Sequence, residues 1–231
     1  MIIEFMGLTG IGKSITMNDL REALSGEDII CSQGFNTEQL ADLSWKKLKL
    51  KNLSPKWIGQ TLFLMCYLLY IFIFVSKQVH WRRKRYFRKI LRFWVAYRIY
   101  DSCKEKEKFL LVDEGLFNGL SSLIHTDEIS DRCLKKVCNI LSSYFKQDNL
   151  LVYFVATENV SCSRIQERKG TSRFDAIKDS NILLEQLSKK RILFEREIKC
   201  LNGKAEMIYL EAEATIEEKR EMILEGLNEQ R

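Results

Sequence analysis

The chain is poor in the residues that break chains or staple them. It has a single proline, two histidines and no low-complexity tract across 231 residues. With no proline-rich or glycine-serine linker to divide it, the length suits one α/β domain carrying an inserted lobe. Cysteine pairing is also missing. The seven cysteines, Cys31, Cys66, Cys103, Cys133, Cys138, Cys162 and Cys200, are odd in number, and no two show C-x-x-C spacing. That pattern speaks against a disulfide framework and against a zinc site. Buried free thiols in a reducing cytosol are the simpler reading, and a cytoplasmic protein is expected. The N-terminus lacks the form of a signal peptide, because its apolar stretch is short and runs straight into a glycine-rich turn.

Hydrophobic residues make up 46% of the chain, enough for a large core. The net charge of +6 is uneven, with much of it between Trp81 and Arg92.

The informative stretch is the beginning. Met1 to Met6 is short and apolar with one charge, as a buried strand would be. Gly7-Leu8-Thr9-Gly10-Ile11-Gly12-Lys13-Ser14 then fits G-x-x-x-x-G-K-[ST] at every fixed position. Ile15 to Leu24 follows as a good helix. Strand, glycine turn and helix in that order are the context a Walker A loop needs. The glycines let the backbone curl so that its N–H groups face a phosphate chain, and the helix adds its positive end. Residues Gly7 to Ile15 are therefore the candidate nucleotide site. Lys13 would reach the β- and γ-phosphates, and Ser14 would hold Mg²⁺ through its hydroxyl. The competing explanation is a chance glycine-rich turn.

A second acidic group is expected beside this loop. Phe109 to Val112 reads as a compact strand with Asp113-Glu114-Gly115 at its end. An acid at such a strand end supplies the second protein contact to Mg²⁺, which makes Asp113 the candidate. Glu114 could act as base toward an acceptor hydroxyl, or simply begin a helix. His125 lies at a break between helices and reads as structural. Further on, Asn159 to Arg168 reads as a helix leading into a basic loop. Arg164 and Arg168, four apart, share a helical face, and Arg173 follows beyond Gly170. These guanidiniums could clamp transferring phosphates; a basic surface loop is the alternative.

Two stretches stand outside that scheme. Trp57 to Val75 contains no charged residue over nineteen positions, long enough for a membrane span. A span would separate the Walker A loop from Asp113, so the stretch reads as a helix buried all round in the core, with a membrane-dipping or partner-binding helix as the alternative. His80 to Trp94 is basic and aromatic, with Phe87, Ile90, Leu91 and Trp94 at helical spacing, which predicts an amphipathic helix with a cationic face. Solvated charge and contact with anionic lipid compete there. No motif points to nucleic acid.

Strand-like runs fall near residues 2–6, 28–31, 109–112, 150–155 and 206–210, alternating with helices. The expected fold is α/β: a three-layer P-loop NTPase fold with a five-stranded parallel sheet and a helical insert at about 36–104 between the second and third strands. The whole chain, 1–231, is expected to form this single domain, with a lid at about 164–175.

This order of elements resembles the nucleoside monophosphate kinase group of P-loop proteins, thymidylate kinase most of all. The resemblance implies that the 36–104 insert covers a phosphate acceptor and that Arg164, Arg168 and Arg173 form a lid over ATP. It implies Arg98, in the segment Phe93 to Arg98, as an acceptor-binding residue. Thymidylate kinases usually carry Asp-Arg at the strand end, whereas this chain has Asp113-Glu114-Gly115, a variant similar to thymidylate kinase-like proteins of bacterial surface-polysaccharide gene clusters. The expected activity is phosphoryl transfer from Mg-ATP to a small acceptor: a nucleotide, a nucleoside, or a sugar or glycan-related molecule. The alternative is a nucleotide-binding regulator or membrane-surface partner protein with little turnover. Peripheral membrane contact through 57–92 and a homodimer are both compatible with the reading.

Overall fold

The computed structural model describes residues 1–24, 29–32, 59, 62–63, 66, 70, 109–113, 115–123, 129–142, 149–168 and 174–229. Five strands form one parallel sheet: β1 (Ile2–Gly7), β2 (Ile29–Ser32), β3 (Phe109–Asp113), β4 (Leu150–Val155) and β5 (Glu206–Glu211), in the order β2-β3-β1-β4-β5. The described helices are α1 (Lys13–Ala23), α2 (Leu116–Leu123), α3 (Asp131–Ser142), α4 (Glu158–Glu167), α5 (Ser180–Leu201) and α6 (Ile216–Glu229). α1 packs on β1, β3 and α6, whereas α5 packs on α2, α3 and α4.

The strands at the middle of the sheet are deeply buried. β1 is buried at all six positions, and β3 and β4 at all but their last residue. Runs of that kind belong to parallel strands covered on both faces. β5 is far more exposed and closes one edge. The register sets Phe5 beside Asp113 and Gly7 beside Phe154. The turn after β1 and the acid ending β3 therefore emerge side by side, at the carboxyl ends where the strand order reverses. Open α/β sheets bind ligands at such a crevice. Ile2 N–H is anchored by Asn149 Oδ1 at 2.8 Å, which fixes where β1 starts against β4.

Several expectations require correction or fall outside the described residues. The apolar stretch 57–75 was expected to be buried all round. Its described positions, Gly59, Leu62, Phe63, Cys66 and Tyr70, are helical and exposed, and lie on one helical face. Leu62 is 55% and Phe63 60% exposed, so this face does not lie in the core. No described helix is long and apolar enough to cross a membrane. The rest of the 36–104 insert, the basic segment 80–94 and His125 lie outside the described residues. The five cysteines that can be followed, Cys66, Cys133, Cys138, Cys162 and Cys200, are unbonded thiols.

One feature of the core is not apolar. Glu4 on β1 and Glu197 on α5 are both fully buried. Glu4 accepts from Phe117 N–H at 2.8 Å and Asn118 N–H at 3.3 Å, at the start of α2. Neither carboxylate oxygen of Glu197 has a hydrogen-bond partner among the described residues. Burial, and then the neighbouring Glu4 charge, push the Glu197 carboxyl well above the ordinary value of 4.5. Folding thus favours protonated Glu197. Its contribution to stability is full below pH 4.5 and is lost as pH rises through the folded value. Glu197→Gln should therefore stabilise the protein at pH 7, by about 1–3 kcal/mol for relief of an unmatched buried group. The gain should shrink as the pH approaches 4. Thermal melts of both proteins across that range check this, and a pH-independent difference would refute it.

Candidate functional site

The turn from β1 into α1 has the geometry its glycines predict. Gly7, Gly10 and Gly12 have φ of +141°, +84° and +97°, values that L side chains rarely adopt. At Gly7 the chain has no room either. A Cβ there would sit 3.0 Å from the Phe154 carbonyl oxygen and 2.8 Å from Ile11 Cδ1. Leu8 and Ile11 are buried, so within the loop these two side chains anchor it in the core while the backbone between them surfaces.

Lys13 is 8% exposed, and its ammonium is drawn back over the loop, donating to Gly7 O at 3.1 Å and Leu8 O at 2.5 Å. Ser14 Oγ donates to Asp113 Oδ2 at 2.5 Å, joining the loop to the end of β3 across 99 residues of sequence. Asp113 Oδ1 is buried and has no hydrogen-bond partner among the described residues. A hydroxyl and an unsatisfied carboxylate oxygen at one point are the hard oxygen donors that Mg²⁺ takes, alongside phosphate oxygens and water. The residues present therefore fit Mg²⁺, with Ser14 and Asp113 as its protein contacts.

α1 also differs from the helices around it. Thr157 caps α4 through Val160 N–H, Asp179 caps α5, and Thr215 and Glu218 cap α6 reciprocally. α1 starts at Gly12 with no side-chain cap and no acid in its first turn. Its N-terminal N–H groups and positive dipole end are left for an anion.

α4 and the residue that ends it bring Arg164 and Arg168, the two described arginines of the expected lid. Ser161 Oγ donates to Thr9 O at 2.5 Å, and the loop at Gly10 lies against Ile165 and Arg164. This contact sets Arg164 over the loop. Its two terminal nitrogens reach Ala212 O at 3.5 Å. Arg168 pairs with Asp175 at 2.9 Å. Both arginines, together with Thr9 to Thr16, Asp113, residues 212–216 and Lys219, line a cavity of about 590 Å³.

The structure thus brings together Thr9, Gly10, Ile11, Gly12, Lys13, Ser14, Ile15, Asp113, Arg164 and Arg168 from the sequence reading. Glu114, Arg173 and Arg98 lie outside the described residues. Two parts of the wall went unread in the sequence. The first is the turn 212–216 between β5 and α6, which carries no motif. The second is Lys219, and here a signal existed: it shares a helical stripe with Ile223 and Leu227, where an apolar residue is the rule.

No protein-family model and no curated protein sequence matches the chain. Solved structures do. The chain is similar to a deoxyadenosine kinase from M. mycoides with products dCMP and a flexible dCDP bound, with a TM-score of 0.56, 15% identity, and coverage of 99% of this chain and 100% of that one. It is also similar to a structure of deoxyadenosine kinase from M. mycoides with bound dATP, with a TM-score of 0.53 at the same identity and coverage. At that identity the likeness shows the fold alone. It does not select thymidylate kinase within that fold.

Proposed function

We propose that the chain is a kinase that transfers the γ-phosphoryl of a magnesium-bound nucleoside triphosphate to a small acceptor. The observation that carries this is the Ser14–Asp113 contact at the mouth of the loop, beside an Asp113 oxygen with no hydrogen-bond partner among the described residues. Phosphoryl transfer demands positioning and charge stabilisation more than covalent chemistry. Lys13 is fixed by two carbonyls where it can neutralise phosphate charge. The uncapped start of α1 supplies backbone donors. Arg164 faces the same cavity from α4 and is placed to stabilise charge spreading over the phosphoryl oxygens. Ser14 and Asp113 would hold Mg²⁺, which would supply neutralisation of phosphate charge. Glu114 and Arg173 remain the proposed acceptor base and third lid arginine, and Arg98 the proposed acceptor contact. ATP is the donor that the sequence resemblance implies.

The acceptor class is proposed from two directions. The similar solved structures are of a kinase named for a deoxynucleoside, with deoxycytidine nucleotides as products in one of them. The Asp113-Glu114 pair in place of Asp-Arg removes an arginine that an acceptor phosphate would use. Both favour an acceptor without a phosphate, a nucleoside ahead of a nucleoside monophosphate or a sugar.

The test is transfer of labelled γ-phosphate with Mg²⁺ against deoxynucleosides, their monophosphates, sugars and a polyprenyl alcohol, with a no-acceptor control. Turnover that rises with one class establishes the activity and names the acceptor. Tight nucleotide binding without acceptor-dependent turnover would overturn it in favour of a nucleotide-binding regulator. The exposed face at Leu62, Phe63 and Tyr70 would then be the surface to probe.

A further inference from the structure

Four cationic side chains among the described residues line the cavity: Lys13, Arg164, Arg168 and Lys219. Three of them are held firmly. Lys13 donates to Gly7 O and Leu8 O, Arg168 pairs with Asp175 at 2.9 Å, and Lys219 Nζ donates to Ala212 O at 2.7 Å. Arg164 is the exception. Both of its terminal nitrogens point to that same Ala212 oxygen, but only at 3.5 Å. That lies beyond the roughly 2.7–3.2 Å of an ordinary N–H···O bond. Among the described residues no carboxylate pairs with Arg164.

The long contact has a cause. A carbonyl oxygen has two lone pairs. Ala212 O is approached by three donors, one from Lys219 and two from Arg164. Lys219 takes the short bond, and the two Arg164 nitrogens share what remains. The root of Arg164 lies elsewhere. Its Cβ is 3.8 Å from where a Cβ on Gly10 would stand, and α4 is tied to the loop by Ser161 Oγ donating to Thr9 O. The side chain therefore starts beside the phosphate loop, while its tip rests weakly on the turn between β5 and α6.

Lys219 is a costly residue for that place. The buried residues of α6 are Lys219, Ile223 and Leu227, each four apart, and Lys219 is 5% exposed. An aliphatic side chain would serve the packing. The lysine instead lays its stem on apolar surface and carries its ammonium to Ala212 O. There the charge is largely desolvated, stands beside Arg164 and lies near the positive end of a helix. Burial, and then the Arg164 charge, lower the Lys219 pKa from 10.5. Nearby acids relieve little of this. Glu218 is held by Thr215 N–H at 2.8 Å and Thr215 Oγ1 at 3.0 Å, and Glu213 is exposed.

Resting on the reading of this cavity as a nucleoside triphosphate site, we propose that Lys219 is a positioning residue: by occupying Ala212 O and repelling Arg164, it keeps the Arg164 guanidinium from settling on the 212–216 turn and leaves it available to the phosphate chain. Lys219 acts through Arg164, and no chemical step passes through it.

The test is a double-mutant cycle read by calorimetric binding. The probes are the Mg²⁺ complexes of the β,γ-imido analogues of ATP and GTP. Whichever binds the wild-type chain more tightly is carried through Lys219→Met, Arg164→Met and the double variant. Lys219→Met keeps an unbranched stem. Alone, it should weaken binding about five-fold or more, within the range of coupling between contacting residues. In the Arg164→Met background it should change binding less than about two-fold. Lys219→Arg, which keeps the charge and the donors, should restore most of the affinity. An equal loss in both backgrounds is what a direct Lys219–phosphate contact or general damage to the fold would give, and it overturns the proposal. So does binding that Lys219→Met leaves unchanged or tightens. Either result leaves the nucleotide site standing. Binding of neither analogue by the wild type overturns both readings. Where Lys219→Met does not fold, Lys219→Leu, the residue type that the helical stripe calls for, runs the same cycle.

Discussion

Lys13→Ala should lower the proposed phosphoryl transfer roughly a thousand-fold or more, the scale expected when a fixed charge is removed from the transferring group. The size follows from how the side chain is held. Its ammonium is pinned by Gly7 O and Leu8 O inside the loop. Nothing else described stands at that point with a positive charge, since Arg164 approaches from α4 and is drawn toward Ala212 O. The substitution also removes a buried stem and two hydrogen bonds, which costs about 1–3 kcal/mol of stability. At this chain length that is a fall of several degrees in melting temperature, not loss of the fold. Initial rates at saturating donor, paired with a thermal melt, separate the two effects. Lys13→Met keeps most of the stem and should show the same kinetic loss with a smaller thermal one. Wild-type turnover in either variant defeats the assignment.

Asp113→Asn is the second large effect, and its signature is a changed metal requirement. Asparagine can still accept from the Ser14 hydroxyl, so the bridge between α1 and β3 survives. What disappears is the negative charge of a carboxylate whose other oxygen has no hydrogen-bond partner among the described residues. Turnover should fall roughly a hundred-fold or more, and the Mg²⁺ concentration giving half-maximal rate should rise. The melting temperature should stay close to that of the wild type, because no hydrogen bond is lost. Titrating Mg²⁺ at fixed donor concentration checks this. A variant with an unaltered Mg²⁺ dependence would show that Asp113 holds Ser14 and nothing more.

Much of the site could be read in advance because its central parts are local. A Walker A loop is eight consecutive residues whose glycines, lysine and serine each have a mechanical reason. Its strand and helix follow from short-range pattern. Asp113 was legible for a related reason: an acid directly after a buried apolar run marks a strand end. Arg164 was legible as the basic end of a helix, but its partner Ala212 O, 48 residues away, was not. The turn 212–216 carries no special residue types and becomes part of the cavity only because β5 lies next to β4. The apolar segment 57–75 shows the converse. Composition alone gave burial, and the described positions place one face of it in solvent, because hydrophobic content does not say which surfaces meet.

The sequence by itself determined the glycine loop of this protein and the elements on either side of it. Local backbone sterics, strand patterning and helix starts dictate that the loop from Gly7 to Ser14 curls at the end of a buried parallel strand. Only the tertiary structure decided what faces it. Strand order set Asp113 against Ser14, packing of α4 on the loop put Arg164 overhead, and the return of the chain through β5 brought Lys219 into the same cavity. The contacts that join these segments link residues about 50 to 200 apart in sequence. They arise from the shared burial of a sheet and its helices. No short-range pattern encodes them.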